Sequence, residues 1–210
     1  MKVLIACEES QAVCLAFRAK GHEAFSCDLQ ECSGGYPEWH IIADAIETAY
    51  SEVWDLMVAH PPCTFLSRAG MAHKAKSKEV KEFREQEAKK AIEFIKQLWN
   101  APIDKICIEN PVGVVNTHWR KPTQIIHPYY FGDPEMKETC LWLKRLPRLN
   151  GLHTIDKIIH KPKPIRSRIG SDGKMKNMYF CGLMDNKSNA AKLKSKTFPS
   201  IAKAMAEQWG

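Results

Sequence analysis

No apolar run in the 210-residue chain approaches the roughly 18 residues that a membrane-spanning helix needs. The opening, MKVLIACEES, carries a single Lys before a short apolar run. That run is too brief for a signal peptide and has no small-residue cleavage site, so it reads as the first strand of a cytoplasmic protein. The eight cysteines, at 7, 14, 27, 32, 63, 107, 140 and 181, contain no Cys-x-x-Cys pair and no matching His pair. This spacing speaks against a zinc site, so no metal is expected, and most of these thiols read as reduced core residues. No repeat or low-complexity segment is visible. Acidic residues are scarce in one place only. Residues 141–210 carry 15 Lys and Arg against 4 Asp and Glu, whereas residues 1–140 carry 16 against 20. The net charge of +7 therefore resides in the last third, which points to a polyanionic partner.

What is present is an ordinary globular composition, 44% hydrophobic and 26% charged, at a length suited to one core. KVLIAC (2–7) reads as a buried strand and SQAVCLAFRAKG as a helix, with Ser10 as N-cap and Gly21 just past its end. HEAFSCDL is a second strand that ends near Asp28. HIIADAIETA is a short apolar run that meets Asp44, and VWDLMVAH is a strand that runs into Pro61 and Pro62. KSKEVKEFREQEAKKAIEFIKQLWN places apolar residues at 80, 83, 88, 91, 92, 95, 98 and 99, close to helical period. DKICIENP is a further buried strand. HPYYFGDPEMKETCLWL reads as a turn and a strand, and TFPSIAKAMAEQWG as a closing helix with an early Pro199. Alternating strands and helices predict an α/β fold with a doubly wound, mostly parallel sheet. In such sheets ligands bind beyond the carboxyl ends of the strands, and Glu8, Asp28, Asp44, Cys63 and Glu109 all stand there.

The segment VAHPPCTFLSRAG (58–70) then acquires a chemical reading. Two prolines fix the backbone where the following side chain leaves the sheet, which suits a positioned nucleophile. Beside Arg68 or a cationic loop the thiol of Cys63 is expected to be acidified. Pro62 to Gly70 resembles, without a gap, the Pro-Cys-Gln-x-Phe-Ser-x-Ala-Gly motif of DNA cytosine-5 methyltransferases. Ile108-Glu109-Asn110-Pro111 resembles their Glu-Asn-Val motif, with Pro111 in the Val place.

The resemblance implies a class I S-adenosylmethionine-dependent methyltransferase fold of Rossmann-like type. It also implies that Cys63 adds to carbon 6 of cytosine, and that Glu109 donates to ring nitrogen 3 and accepts from the exocyclic amine. Asn110 belongs to the same motif. Gly132 to Thr139 is similar to the family's Gly-x-Pro-Gln-x-Arg-x-Arg, with Lys137 for the first Arg and Thr139 for the second. Arg166 or Arg168 is then the candidate to hold the base carbonyl. S-adenosylmethionine is the implied cofactor. Asp28 takes the ribose, Asp44 the adenine side, and Cys7, Glu8, Ser10 and Pro61 complete the pocket, although the first turn has none of the family's glycines. A lid beginning at Gly70 is expected to meet DNA through Ser67, Arg68, Lys74 and Lys76, and the basic insert through Arg166, Arg168 and Lys174.

The implied organisation is a catalytic domain over 1–144, a basic insert with a reduced recognition role over 145–196, and a C-terminal helix over 197–210 that returns beside the cofactor pocket. So small an insert predicts little sequence preference. The chain is most similar to the short members found in bacteriophages, which implies a cytoplasmic enzyme acting on duplex DNA, with a monomer as the default expectation. Two other readings stay open. One is an amino methyltransferase, from the His60-Pro61-Pro62 stretch; the other is a DNA-binding protein of this fold that has lost catalysis.

Overall fold

The computed structural model describes residues 1–67, 77–152, 162–164, 166–169, 173–178 and 197–210. Strand β1 (Lys2–Ala6) lies inside a sheet whose order is β3-β2-β1-β4-β5-β7-β6 among the described residues. Its neighbours β2 (Glu23–Asp28) and β4 (Leu56–Ala59) run parallel to it. So do β3 (His40–Ile42) beyond β2 and β5 (Lys105–Pro111) beyond β4. The strand β7 (Thr139–Lys144) is antiparallel to β5, and β6 (Gln124–Ile126) pairs antiparallel with β7 at the edge. This is the doubly wound, mostly parallel sheet that the alternation predicts, in the Rossmann-like order of a class I methyltransferase fold.

Both faces of β1 are covered, as a central parallel strand requires. Its residues alternate between two cores. Val3 and Ile5 pack with helix α1 (Ala12–Ala19) through Val13, Cys14 and Phe17, and with α5 (Pro199–Trp209) through Ile201, Met205 and Trp209. Leu4 and Ala6 face the other way, toward Ala45 and Ala49 of α2 (Ala45–Ser51) and Ile92, Ile95 and Leu98 of α3 (Lys78–Trp99). The apolar stripe of α3 serves the core only in its second half. Val80 and Phe83 are 46% and 55% exposed, because the first turns of the helix stand clear of the sheet. Two short elements escape the periodicity reading, β6 and the single-turn helix α4 (Val115–His118), since three or four residues carry no period. Within 145–196 the described residues include an antiparallel pair, β8 (Arg166–Ile169) with β9 (Met175–Met178). No described helix is long and apolar enough to cross a membrane.

The helix α1 corrects one expectation. Ser10 does not cap it in the expected way, since its Oγ stands 3.5 Å from the amide of Ala12. The carboxylate of Glu8 takes that place, accepting from the amides of Val13 at 2.7 Å and Cys14 at 3.1 Å. These are orphan N–H groups of a first turn, and a negative charge there also meets the positive end of the helix dipole. Glu8 is only 4% exposed. Burial pushes its carboxyl above the ordinary range, against the opposing pull of His60 and the two amides.

Glu8→Ala should therefore lower the unfolding free energy by about 1–3 kcal/mol, the cost of orphaned buried amides. A carboxyl whose folded pKa is raised contributes most when protonated, so the deficit should be largest near about pH 4 and narrow as pH rises. Urea denaturation of both proteins at several pH values reads the sign directly.

Candidate active site

Every parallel strand of the sheet ends on the same edge, and the strand order reverses between β1 and β4, where ligands of doubly wound folds bind. The turn after β1 has no glycine, yet two of its residues adopt the left-handed conformation, Cys7 at φ 60° and Gln11 at φ 59°. Side chains disfavour that conformation, so the surroundings must hold it. The side chain of Gln11 is fully buried. Its Nε2 donates to the carbonyl of Tyr36 at 2.7 Å, and its Oε1 accepts from the Tyr36 amide at 3.1 Å. The 33–36 loop is also drawn onto the turn by the Ser33 amide, which donates to the carbonyl of Glu9 at 2.8 Å. A Cβ at Gly34 would come within 2.6 Å of the Gln11 side chain and 2.8 Å of the Ser10 carbonyl, so this close approach needs glycine.

Beside this turn lies a mostly apolar cavity of about 240 Å³. Four of the six residues expected at a cofactor line it, namely Cys7, Asp28, Asp44 and Pro61, together with Leu29, Ala43 and Phe94. Glu8 and Ser10 do not line it; Glu8 is committed to α1. Asp44 is the N-cap of α2, its Oδ1 accepting from the amides of Ile46 at 2.8 Å and Glu47 at 3.1 Å. Asp28 accepts from the Gln30 amide at 3.1 Å through Oδ1. An apolar slot with carboxylates at its polar margin suits a flat heterocycle joined to a sugar whose hydroxyls donate to an Asp.

On the other side of Pro61 the chain turns through Cys63. Side-chain and backbone contacts fix this turn. The buried Asn110 donates from Nδ2 to the carbonyl of Pro61 at 2.8 Å. The carbonyl of Cys63 accepts from the amides of Leu66 at 3.1 Å and Ser67 at 3.0 Å. The Leu66 carbonyl accepts from the Val114 amide at 2.9 Å, and a bridge joins Ser67 to Gly113. Asn110 is thus a clamp on the loop, not a group at the open face. Cys63 is exposed, whereas Cys14, Cys27, Cys107 and Cys140 are buried.

Glu109 and His60 form a pair across the ends of β5 and β4, with Nδ1 of His60 3.0 Å from Oε2 of Glu109 and side chains only 15% and 9% exposed, respectively. Burial opposes the charge of Glu109, but the hydrogen bond from His60 and the charges of Lys137 and His60 prevail and hold its carboxyl below the ordinary range. Lys137 reaches both reacting candidates. It also pulls the Cys63 thiol down, yet desolvation and the charge of Glu109 push harder, so that thiol lies above its ordinary value. The expected acidification is therefore not found in the free protein, because desolvation, together with the neighbouring carboxylate, outweighs the cation. Arg68, invoked for that effect, lies outside the described residues with Lys74 and Lys76. Thr139 is buried and pairs with Pro111 across β5 and β7, away from any open face. Arg166 and Arg168 lie on β8, and Lys174 is exposed just before β9.

Two contributors were missed as such in the sequence. His60 stands within a quoted motif, but its partner is 49 residues away. Gly113 follows the Glu-Asn-Pro stretch, and a Cβ there would sit 1.8 Å from the Leu66 carbonyl oxygen.

No family model and no curated protein matches the chain. Among solved structures it is similar to a prophage-encoded E. coli protein assigned, provisionally, as a DNA modification methyltransferase. The two share 11% identity at a TM-score of 0.45, over 68% of this chain and 46% of that one. The chain thus spans less than half the length of that neighbour, and a likeness of this size carries no argument about chemistry.

Alkylation reads the charge coupling at Cys63. Glu109→Gln should speed modification of Cys63 by iodoacetamide at pH 8 and Lys137→Gln should slow it, each by severalfold, since one pKa unit changes the thiolate fraction by up to about tenfold. Peptide mass mapping isolates Cys63 from the other thiols. Gly113→Ala should lower stability by about 1–3 kcal/mol through overpacking against backbone, measured by thermal melting.

Proposed function

We propose that the chain transfers a methyl group from S-adenosylmethionine to carbon 5 of cytosine in DNA, through a covalent adduct with Cys63 and with little sequence preference. The observation that carries this reading is the meeting of an exposed thiol, an ionised carboxylate and a cation at one strand edge, beside an apolar cavity bordered by Asp28 and Asp44.

The cavity suits the adenosine part of the cofactor. Asp28 is the acceptor for ribose hydroxyls, Asp44 stands on the side of the base, and Cys7 and Pro61 form apolar walls. When bound, the cofactor supplies an electrophilic methyl carbon. Cys63 attacks carbon 6 of a cytosine turned out of the duplex, which makes carbon 5 nucleophilic. Glu109 faces the amine and ring-nitrogen edge of that base and steadies the charge created by the addition, while Lys137 adds positive potential on the same side. Asn110 and the prolines keep the sulfur in place as the bond forms and breaks. The cationic excess of residues 141–210 supports contact with phosphates, a term that carries no sequence information.

One observation favours a second reading, a DNA-binding protein of this fold without catalysis: the thiol is held above its ordinary pKa when free. The two readings part on one experiment. Under the first, Cys63→Ser should remove methyl transfer to DNA by at least about 10³-fold, while calorimetry shows cofactor binding unchanged and circular dichroism an intact fold. Nucleoside mass analysis should locate the methyl on carbon 5. Undiminished transfer by the variant, or a methyl on nitrogen, would overturn the proposal.

A further inference from the structure

Two cations at the edge of the sheet have no partner of their own. Lys121 and Arg148 are exposed, and neither makes a hydrogen bond or an ion pair with another described residue. The cations near them in the chain are engaged. The guanidinium of Arg120 lies over the rings of Trp99 and Trp119 at 4.8 and 4.6 Å, Lys144 donates to the carbonyl of Ile103 at 2.9 Å, and Arg145 pairs with Asp104. Lys121 and Arg148 instead line one concavity of about 680 Å³ with Thr117, Thr123, Gln124 and Ile125, and no Asp or Glu is among its described lining residues. Gln124 and Ile125 project to opposite faces of β6, so the concavity wraps around the edge strand.

Fixed backbone presents both charges. The side-chain amide of Gln124 grips the 147–150 segment much as a paired strand would, Nε2 donating to the Leu149 carbonyl at 2.8 Å and Oε1 accepting from the Leu149 amide at 2.9 Å, and Leu149 itself is buried. Arg148 is thereby held beside β6. The indole N–H of Trp142 donates to the carbonyl of Arg120 at 3.0 Å, and Pro122 restricts the backbone at Lys121. The hydroxyl of Thr123 accepts from the Leu143 amide at 3.1 Å, which leaves its own hydrogen to donate. Two cations and a hydroxyl donor with no carboxylate among them suit the oxygens of a phosphate group.

We propose that this concavity holds a backbone phosphate of the DNA whose base is presented to Cys63. The inference rests on the reading of DNA as the substrate given above. Sheet register sets the distance. Glu109 and Gln124 both pair with Leu141, one from each side, so they stand in one row two strands apart, about 10 Å at the usual spacing of neighbouring strands. One strand of a duplex advances about 3.4 Å per nucleotide, so a phosphate about three steps from the target base falls at the concavity. The contact reads no base. It fixes where the duplex lies against the sheet that carries Glu109, as phosphate contacts do. Charge counting along the chain does not find it, since Arg148 belongs to the basic last third and Lys121 to the part where acidic residues prevail.

The test is duplex binding by fluorescence anisotropy between about 50 and 200 mM salt, the range over which phosphate contacts are most visible. It compares the unsubstituted protein with Lys121→Gln, Arg148→Gln and the double variant. Lys20→Gln, at an exposed lysine at the far end of α1, controls for the loss of charge alone. Each of the two single variants should weaken binding by about three- to tenfold at the lower salt, equally for unrelated sequences, and should reduce the slope of log K against log salt by about 1. Affinity for S-adenosylmethionine, measured by calorimetry, should not change. Slopes indistinguishable from that of Lys20→Gln would overturn the inference. Inorganic phosphate separates a strand from a small ligand: if the double variant loses phosphate binding while its DNA slope is unchanged, the concavity serves a free phosphate compound and the DNA assignment falls. A protein that methylates no cytosine yet shows the slope changes keeps the phosphate contact and loses the proposed chemistry. One that methylates cytosine with unchanged slopes loses the phosphate contact alone, and one with no salt-dependent DNA binding loses both.

Discussion

The seam between the ends of β4 and β5 is the constraint on which the rest of the site depends. Adjacent residues of one strand grip adjacent residues of the other, Glu109 on His60 and Asn110 on the carbonyl of Pro61. The strands beneath are in fixed parallel register, Ala59 opposite Ile108, so the grip is set by the sheet and not by the loop. Two bonds of this kind in a buried place are high-stakes. Satisfied, they specify one geometry; with one partner removed they leave a buried carboxylate or amide, which costs several kcal/mol. Gly113 extends the seam by letting the Leu66 carbonyl approach closer than any side chain would allow. Cys63 is thereby exposed yet aimed, a combination that a surface loop alone does not provide.

A second constraint sits on the cavity side of the same edge. Doubly wound folds commonly use glycines after the first strand because the backbone must bend sharply and come close to a ligand. Here Cys7 and Gln11 adopt the left-handed conformation at a local cost. The compensation is visible in what holds them: the Glu8 carboxylate on the amides of α1, and the Gln11 amide clasping Tyr36. The helix terminus that glycine-rich turns leave open to an anionic ligand is filled by the protein's own carboxylate. A ligand of this cavity is therefore not held by the dipole of α1.

Much of this was legible in the residues. The strands β1, β2, β4 and β5 are continuous apolar runs closed by polar residues, and such runs report both their type and the edge at which they end. Cys63 and Glu109 each belong to a contiguous motif, so local sequence sufficed to bring them forward. What escaped was pairing at a distance. Nothing near His60 says that its partner is Glu109, nor does the ACEES stretch say that Glu8 turns inward to cap a helix in place of Ser10. The sign of the thiol shift escaped for the same reason. It depends on desolvation of the sulfur and on two opposite charges, Glu109 from β5 and Lys137 from the segment before β7. The short elements β6 and α4 are set by pairing with β7 and by the Gly113 contact, neither of which has a periodic signature.

These charges bear on how a site of this kind could remain quiet until it is filled. In the free protein desolvation and the charge of Glu109 suppress the Cys63 thiolate, and Lys137 only partly offsets them. On the proposed reading the base places its amine and a protonated ring nitrogen against Glu109, which neutralises the very charge that suppresses the sulfur. Lys137 is then opposed by desolvation alone. Base entry and activation of the nucleophile become one electrostatic event, with Glu109 as the common term. A raised thiol in the free protein is in that case no mark of a dead site. It is what desolvation and a nearby carboxylate together produce at this cysteine until a partner for the carboxylate arrives.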